Sequence, residues 1–194
     1  PNDVLAKISN RITNEVGRLT SLMNDILVIG RIESGKIMFN PDNLNLETFI
    51  RQFQSEVAVL GFPGRNFKLL VTGTPVDIFA DRQLLNHIMV NLVSNAFKYS
   101  TSAREPEIEV KYGPEKISLS VRDFGIGIPD AEKKNLFQSF FRASNVENIQ
   151  GTGLGLVIVK QFVDAHGGTI TLESKENEGT VVSIEFKVEQ LSNT

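Results

Sequence analysis

The stretch that most constrains this chain is NHIMVNLVSNAFKYS, from Asn86 to Ser100. It predicts the C-terminal part of a helix that opens near Asp81. At about 100° per residue, Asn91, Asn95 and Lys98 fall within one narrow stripe. Leu85, Ile88, Met89, Leu92 and Ala96 form the neighbouring apolar face, which has to bury against a sheet. Asn is a mediocre helix former, so a lone Asn here would read as part of a solvated polar face. Two Asn a turn apart, followed by Lys98 and the aromatic Tyr99, suit another task. Amide oxygens bind a hard cation such as Mg²⁺. An ammonium holds a phosphate oxygen as a point charge. A phenol ring can lie against a base or sugar. The stripe alone admits both readings, and glycine-rich segments further on bear on the choice.

The chain has 194 residues, room for one domain of ordinary size plus an appendage. It is 41% hydrophobic and 22% charged, as soluble globular proteins are. A net charge of −3 argues against bulk attraction to nucleic acid or to an anionic membrane. With no cysteine there is neither a disulfide framework nor a thiolate metal site, which fits a reducing compartment. No apolar run is long enough to span a bilayer, and no signal peptide is visible. The chain opens on Pro1 inside an already helical pattern and reads as a piece of a longer protein.

Residues 3 to about 36 predict one long helix. Leu5, Ile8 and Ile12 are spaced by three and four, and Val16, Leu19, Met23 and Ile26 resume the spacing after a stutter-like step. Asn2 or Asp3 suits the start and Gly35 the stop. A seam this long calls for a partner helix in a bundle or dimer; packing on its own domain alone is the alternative. Beyond it, Leu44–Leu46 predicts a short strand, Thr48–Leu60 a helix, and Gly61–Gly64 a turn. Phe67–Val71 and Val76–Ala80 are strand candidates, and Asp81 caps the central helix. Glu107–Tyr112 and Lys116–Arg122 form a hairpin across Gly113-Pro114. A short helix follows Pro129 to about Phe137, and Arg142–Gln150 is a polar loop. A helix over Gly153–Ala165 precedes strands at Thr169–Glu173 and Thr180–Val188. Hairpins outnumber helical crossovers. The pattern predicts an α+β two-layer sandwich: a mixed, mostly antiparallel sheet with helices on one face. The division is a helical segment over residues 1–37 and a second domain over residues 38–194.

Asp123 shares parity with Ile117, Leu119 and Val121, so a carboxylate follows three core-facing residues on their own side. A buried carboxylate needs a donor. Either the strand ends at Arg122 and Asp123 begins a turn, or the donor is the amino group of a ligand base. Gly125 and Gly127, in DFGIGIP, permit close backbone approach. A second cluster, Gly151-Thr152-Gly153-Leu154-Gly155-Leu156, opens the last helix and aims backbone N–H groups where anions are favoured. Close helix–sheet packing at Gly155 is the competing reason. No Gly-Lys-Ser/Thr follows, so this is not a P-loop, and no βαβ unit begins there, so it is not a Rossmann fingerprint. Phe137, Phe140 and Phe141 read as core or as anchors of a mobile lid.

Together these blocks resemble the catalytic and ATP-binding domain of sensor histidine kinases, in the superfamily shared with type II topoisomerase, Hsp90 and MutL ATPase domains. NLVSNAFKYS is similar to the family's N box, DFGIGIP to its first G box, LFQSFFR to its F box and GTGLGL to its second G box. HGGTI and EGTVVSIEF resemble its C-terminal hairpin. The likeness covers about residues 40 to 188. RLTSLMNDILVIGRIESGK, residues 18 to 36, resembles the end of the second helix of the dimerisation and phosphotransfer region.

The resemblance implies ATP and Mg²⁺ as ligands, with Asn95 on the metal and Asn91 beside the metal–phosphate shell. It implies Lys98 at the phosphates, Tyr99 at the adenosine and Asp123 accepting from the adenine amino group. Gly125, Gly127, Ile128, Gly151, Thr152, Gly153, Leu154, Gly155 and Leu156 would shape the pocket and lid. Asn91 and Lys98 are the implied catalytic residues, acting by positioning and charge neutralisation. The implied partners are a histidine-bearing helix of the parent kinase, a response-regulator receiver domain and, for the parent, a second copy. The implied compartment is the cytoplasm, with the parent free or anchored in the inner membrane. The phosphoacceptor's sequence context is absent around His87 and His166. Two alternatives compete. A hydrolytic clamp of the Hsp90 or topoisomerase kind has glutamate as general base where this chain has Asn91, whose amide cannot take that proton. A serine-directed anti-sigma-type kinase lacks the long first helix.

Overall fold

The computed structural model describes residues 2–57, 64–100, 104–146, 149 and 151–188. In chain order the helices and strands are α1 (Asn2–Glu33), β1 (Asp42–Leu44), α2 (Leu46–Glu56), β2 (Lys68–Thr72), β3 (Ile78–Ala80), α3 (Arg82–Tyr99), β4 (Glu107–Tyr112), β5 (Lys116–Arg122), α4 (Gly155–Ala165), β6 (Thr169–Lys175) and β7 (Gly179–Lys187). Short 3-10 turns occupy Asp130–Asn135 and Ser144–Val146.

Period-two alternation builds the sheet. Ile108 and Val110 of β4, Ile117, Leu119 and Val121 of β5, and Val182, Ile184 and Phe186 of β7 are all buried on one face. Lys111, Ser118, Ser120 and Glu185 hold the other, more polar face. Strand order is β2-β4-β5-β7-β6, parallel between β2 and β4 and antiparallel elsewhere, with Val110 opposite Leu119 and Leu119 opposite Ile184. The helical layer supplies the matching apolar surface: Phe49, Ile50 and Phe53 from α2, Leu85, Ile88 and Met89 from α3, and Ile158, Val159 and Phe162 from α4. Each such side chain contributes about 1.5–3 kcal/mol of apolar burial. β1 and β3 pair separately as an antiparallel ribbon. The fold is the two-layer α+β sandwich anticipated above.

Two junction residues fix where α3 and α4 enter and leave. Asp81, buried, caps α3 by accepting from Gln83 N at 2.8 Å and Leu84 N at 3.1 Å, and its other oxygen accepts from Asn40 N at 2.8 Å. His166, just past α4, accepts the Asp81 N–H on Nε2 at 3.1 Å. The proton must then sit on Nδ1, which donates to Phe162 O at 2.6 Å. The ring is further wedged between Phe39 and Phe186.

Several boundaries differ from the sequence reading. The first helix ends at Glu33 rather than near residue 36, and Gly35 follows with φ +66°. The first strand is Asp42–Leu44, because Asn45 accepts from Thr48 N at 3.0 Å and so caps a helix that already contains Leu46. The last helix starts at Gly155, since Gly153, at φ +74°, lies outside helical geometry. After Pro129 the chain makes a 3-10 turn that ends at Asn135. Leu60 and Gly61 to Pro63, assigned to a helix end and a turn, lie outside the described residues, as does the side-chain cap at Asn2 or Asp3.

α1 uses two faces differently. Leu22, Val28, Ile29 and Ile32 are partly buried against the core. The seam residues Leu5, Ile8, Ile12, Val16, Leu19, Met23 and Ile26 remain 48% to 66% exposed.

Candidate functional site

Between α3, the start of α4, the sheet and α1 lies a cavity of about 960 Å³. Its floor is apolar, with Val121, Leu172 and Val182 among the lining residues. The predicted α3 stripe faces it intact: Asn91, Asn95 and Lys98 all line the cavity, together with Tyr99 and with His87 one turn earlier.

Asn91 Nδ2 donates to His87 O at 3.0 Å, which leaves its Oδ1 toward α4. A Cβ added at Gly155 would stand 2.7 Å from that oxygen, so the absent side chain makes the space that Asn91 occupies. The Asn95 side chain makes no hydrogen bond among the described residues and lines the cavity. Solvent reaches Lys98, yet the crowding walls of the cavity hold its ammonium below the usual lysine range, opposed by the Asp25 carboxylate. Burial pushes the Tyr99 phenol up, opposed by Arg142.

Asp123 forms the opposite wall and is 8% exposed. Its Oδ1 accepts from Gly125 N at 2.9 Å and Thr180 N at 3.2 Å. Its Oδ2 has no hydrogen-bond partner among the described residues. Burial raises the carboxyl above its ordinary range, and the two N–H groups only partly oppose that. The strand does end at Arg122 and Asp123 begins the turn, yet the residue stays buried, with backbone N–H groups as the donors to its Oδ1. Gly125 permits the close passage of two chain segments: a Cβ there would lie 2.1 Å from Tyr99 O.

Of the other predicted residues, Gly127, Ile128, Gly151, Thr152, Gly153, Gly155 and Leu156 line the cavity. Gly125 sits behind the lining and Leu154 is fully buried in the core, so these two shape the site from outside it. Of the three Phe before the loop, Phe137 and Phe141 are half-buried, whereas Phe140 is 63% exposed with φ +65°. The described part of the loop is tied down. Arg142 donates to Val146 O at 2.6 Å and also to Ile149 O. Asn145 Nδ2 donates to Gly127 O at 2.9 Å, and Ser144 bonds Glu132. Phe140 N donates to Gly153 O at 3.1 Å and closes the base of the loop. Glu147, Asn148 and Gln150 of the anticipated lid lie outside the described residues.

The wall formed by α1 has no counterpart in the sequence reading. Thr13, Thr20, Asn24 and Asp25 line the cavity, and Thr152 Oγ1 donates to Asp25 Oδ2 at 2.9 Å. Nothing in local spacing could have found them, because their position depends on how α1 docks.

No group of three or more His, Asp or Glu side chains that could hold a metal occurs among the described residues. Mg²⁺ does not need one, since it keeps waters and phosphate oxygens and takes one or two protein oxygens. The unpaired amide of Asn95, with Asn91 Oδ1 a turn away, fits that requirement.

A mixed, mostly antiparallel sheet covered on one face, a polar helix stripe and two glycine segments around one cavity define a domain suited to hold a phosphorylated ligand. The family model described as histidine kinase-, DNA gyrase B- and HSP90-like ATPase matches residues 80–190, and the chain belongs to that family. Among similar curated proteins, the sensor histidine kinase WalK of Bacillus subtilis is 30% identical over 183 residues, covering 91% of this chain and 30% of WalK. The circadian input-output histidine kinase CikA of Synechococcus elongatus is 36% identical over 172 residues, covering 86% of this chain and 23% of CikA. Among solved structures, the catalytic domain of histidine kinase ThkA superposes with a TM-score of 0.62 at 28% identity, covering 76% of this chain and 97% of that one. The chain thus spans less than a third of the length of these curated relatives.

Proposed function

We propose that this chain carries the ATP-binding catalytic domain of a sensor histidine kinase, over residues 38–194, preceded by the end of a dimerisation helix over residues 1–37. The observation that carries the reading is the α3 stripe: Asn91, Asn95 and Lys98 enter one cavity whose far wall is Asp123. Asp123 Oδ2, which has no hydrogen-bond partner among the described residues and belongs to a largely buried carboxylate, is the acceptor for an adenine amino group. Tyr99 lies beside the nucleoside. Lys98 and the N–H groups opening α4 hold phosphate oxygens. Asn95 and Asn91 would hold Mg²⁺, which neutralises charge on the phosphate chain when bound.

Transfer is by positioning: an imidazole nitrogen bonds the γ-phosphorus as the bond to the ADP oxygen breaks, with no covalent intermediate on this domain. Neither histidine of the chain suits the acceptor role. Both ring nitrogens of His166 are engaged by backbone groups, and the His87 ring packs on Phe162. The acceptor therefore belongs to a histidine-bearing helix of the parent kinase, and the next recipient is a response-regulator aspartate. The exposed seam of α1 is the surface that a second copy would cover. The reading places the domain in the cytoplasm, where ATP is found; no described helix is long and apolar enough to cross a membrane. A hydrolytic clamp is disfavoured because Asn91 is an amide whose nitrogen already donates to His87 O.

The test is incubation with γ-labelled ATP, with and without the parent's histidine-bearing segment added in trans. Label should appear on the added segment, acid-labile and base-stable, and not on this chain. Label on this chain that disappears in His87→Ala or His166→Ala, or no transfer to the added segment despite ATP binding, would overturn the assignment.

A further inference from the structure

The Asp25 carboxylate stands inside the cavity, on an element that the nucleotide reading leaves without a task. Its Oδ2 accepts from Thr152 Oγ1 at 2.9 Å, in the glycine segment that opens α4. Lys98 and His87, both lining the same cavity from α3, are the cationic or ionisable groups that act on it. α1 is held in this position from behind by Val28, Ile29 and Ile32, which pack on the core. The Thr152 hydroxyl and the Lys98 ammonium are the groups a phosphate chain would use. They are here engaged by, or close to, a carboxylate of the same charge sign as phosphate. Both anions cannot share that end of the cavity without repulsion.

We propose that the C-terminal half of α1 is an internal competitor of nucleotide, with Asp25 standing in for phosphate against Thr152 and Lys98. This rests on the reading that the cavity binds ATP. When α1 is docked, the adenosine end of the site, around Asp123 and Tyr99, stays available while the phosphate end is blocked. Full nucleotide binding then requires Asp25 to leave Thr152. Conversely, bound phosphates release this part of α1 from the domain, and the release is coupled to nucleotide by reciprocity of binding free energies. The position of α1, set by whatever its exposed seam packs against, thereby becomes a control on ATP affinity.

The test uses the whole chain unmodified, as Asp25→Asn and as Asp25→Ala, with calorimetric titration of ATP, ADP and adenosine. Both variants should bind ATP roughly threefold to tenfold more tightly, the range for losing one hydrogen bond and a partly screened charge. The gain should be smaller for ADP and absent for adenosine. In the unmodified chain, ATP but not adenosine should speed amide exchange over residues 22–30. Unchanged ATP affinity in both variants would overturn the proposal. So would weaker ATP binding, which would make Asp25 a ligand of the metal or a donor-side group. Equal tightening for adenosine would do the same, since it would show a general loosening of α1. Absence of ATP binding in all three proteins would instead remove the nucleotide reading itself.

Discussion

Replacing Gly155 by Ala isolates the contact between α4 and the polar stripe of α3. The new Cβ would stand 2.7 Å from Asn91 Oδ1, where ordinary contact begins at 3.4 Å, so about 0.7 Å has to be relieved. The nearest obstacle is a side-chain amide, which can rotate, at the expense of its 3.0 Å hydrogen bond to His87 O. That bond is worth about 1 kcal/mol. Ala is favoured over Gly in a helix by up to about 1 kcal/mol. The two effects nearly cancel, and urea midpoints of the variant and the unmodified protein should agree closely. Asn91, however, will have turned away from the cavity. Mg-ATP affinity should therefore fall roughly threefold to tenfold, about the value of one lost polar contact, while adenosine affinity stays the same. Calorimetric titration measures both. The decisive comparison is a double-mutant cycle with Asn91→Ala, which removes the obstructed oxygen. In that background Gly155→Ala should have no further effect on Mg-ATP. Additive losses, or a Gly155→Ala protein that binds Mg-ATP normally, would refute the idea that this glycine serves Asn91.

Asp123→Asn should weaken ATP binding by about 1–3 kcal/mol, and the unmodified protein should prefer ATP to GTP; equal affinities in a titration would remove Asp123 as the base reader. Because burial raises its carboxyl, ATP affinity should decline as pH falls, beginning above the ordinary carboxylate range, where the group protonates and stops accepting. Asn95→Ala should reduce affinity for Mg-ATP much more than for metal-free ATP, and an equal reduction in both would exclude it as a metal ligand. Asp81→Ala, which strands three backbone donors, should destabilise the fold by about 2 kcal/mol. Burial opposes ionisation of Asp81, but its three N–H bonds outweigh burial and leave its folded pKa below the ordinary value. Its contribution is therefore present above the unfolded pKa and lost as pH falls through the folded one. Chemical denaturation should show the gap between Asp81→Ala and the unmodified protein closing in acid.

What the sequence made legible was local or periodic. Alternation in Ile117, Leu119 and Val121 named the buried face of β5 and put Asp123 on it. The offset between Asn91, Asn95 and Lys98 placed all three in the cavity, because a regular helix carries spacing into direction. Errors arose where a neighbour in space decided the outcome. Leu44–Leu46 alternates like a strand, but the Asn45 side chain caps a helix that starts at Leu46, two residues before the expected Thr48. Leu154 belongs by sequence to a glycine segment, yet packing draws it into the core. The parallel pairing of β2 with β4 and the docking of Asp25 on Thr152 join residues far apart in the chain. Neither has a local signature, since each depends on the completed sandwich.

The bond from Phe140 N to Gly153 O brings together the two ends of the loop that runs between them. A loop pinned at its neck behaves thermodynamically as a detachable part. Its closure entropy grows only as the logarithm of its length, so doubling the number of residues costs about 0.6 kcal/mol. The sheet would not register such a change so long as the contacts of Arg142, Ser144 and Asn145 that tie the loop down are kept. Insertions that keep those contacts are thus open to natural drift and to the protein engineer alike, at little expense in stability.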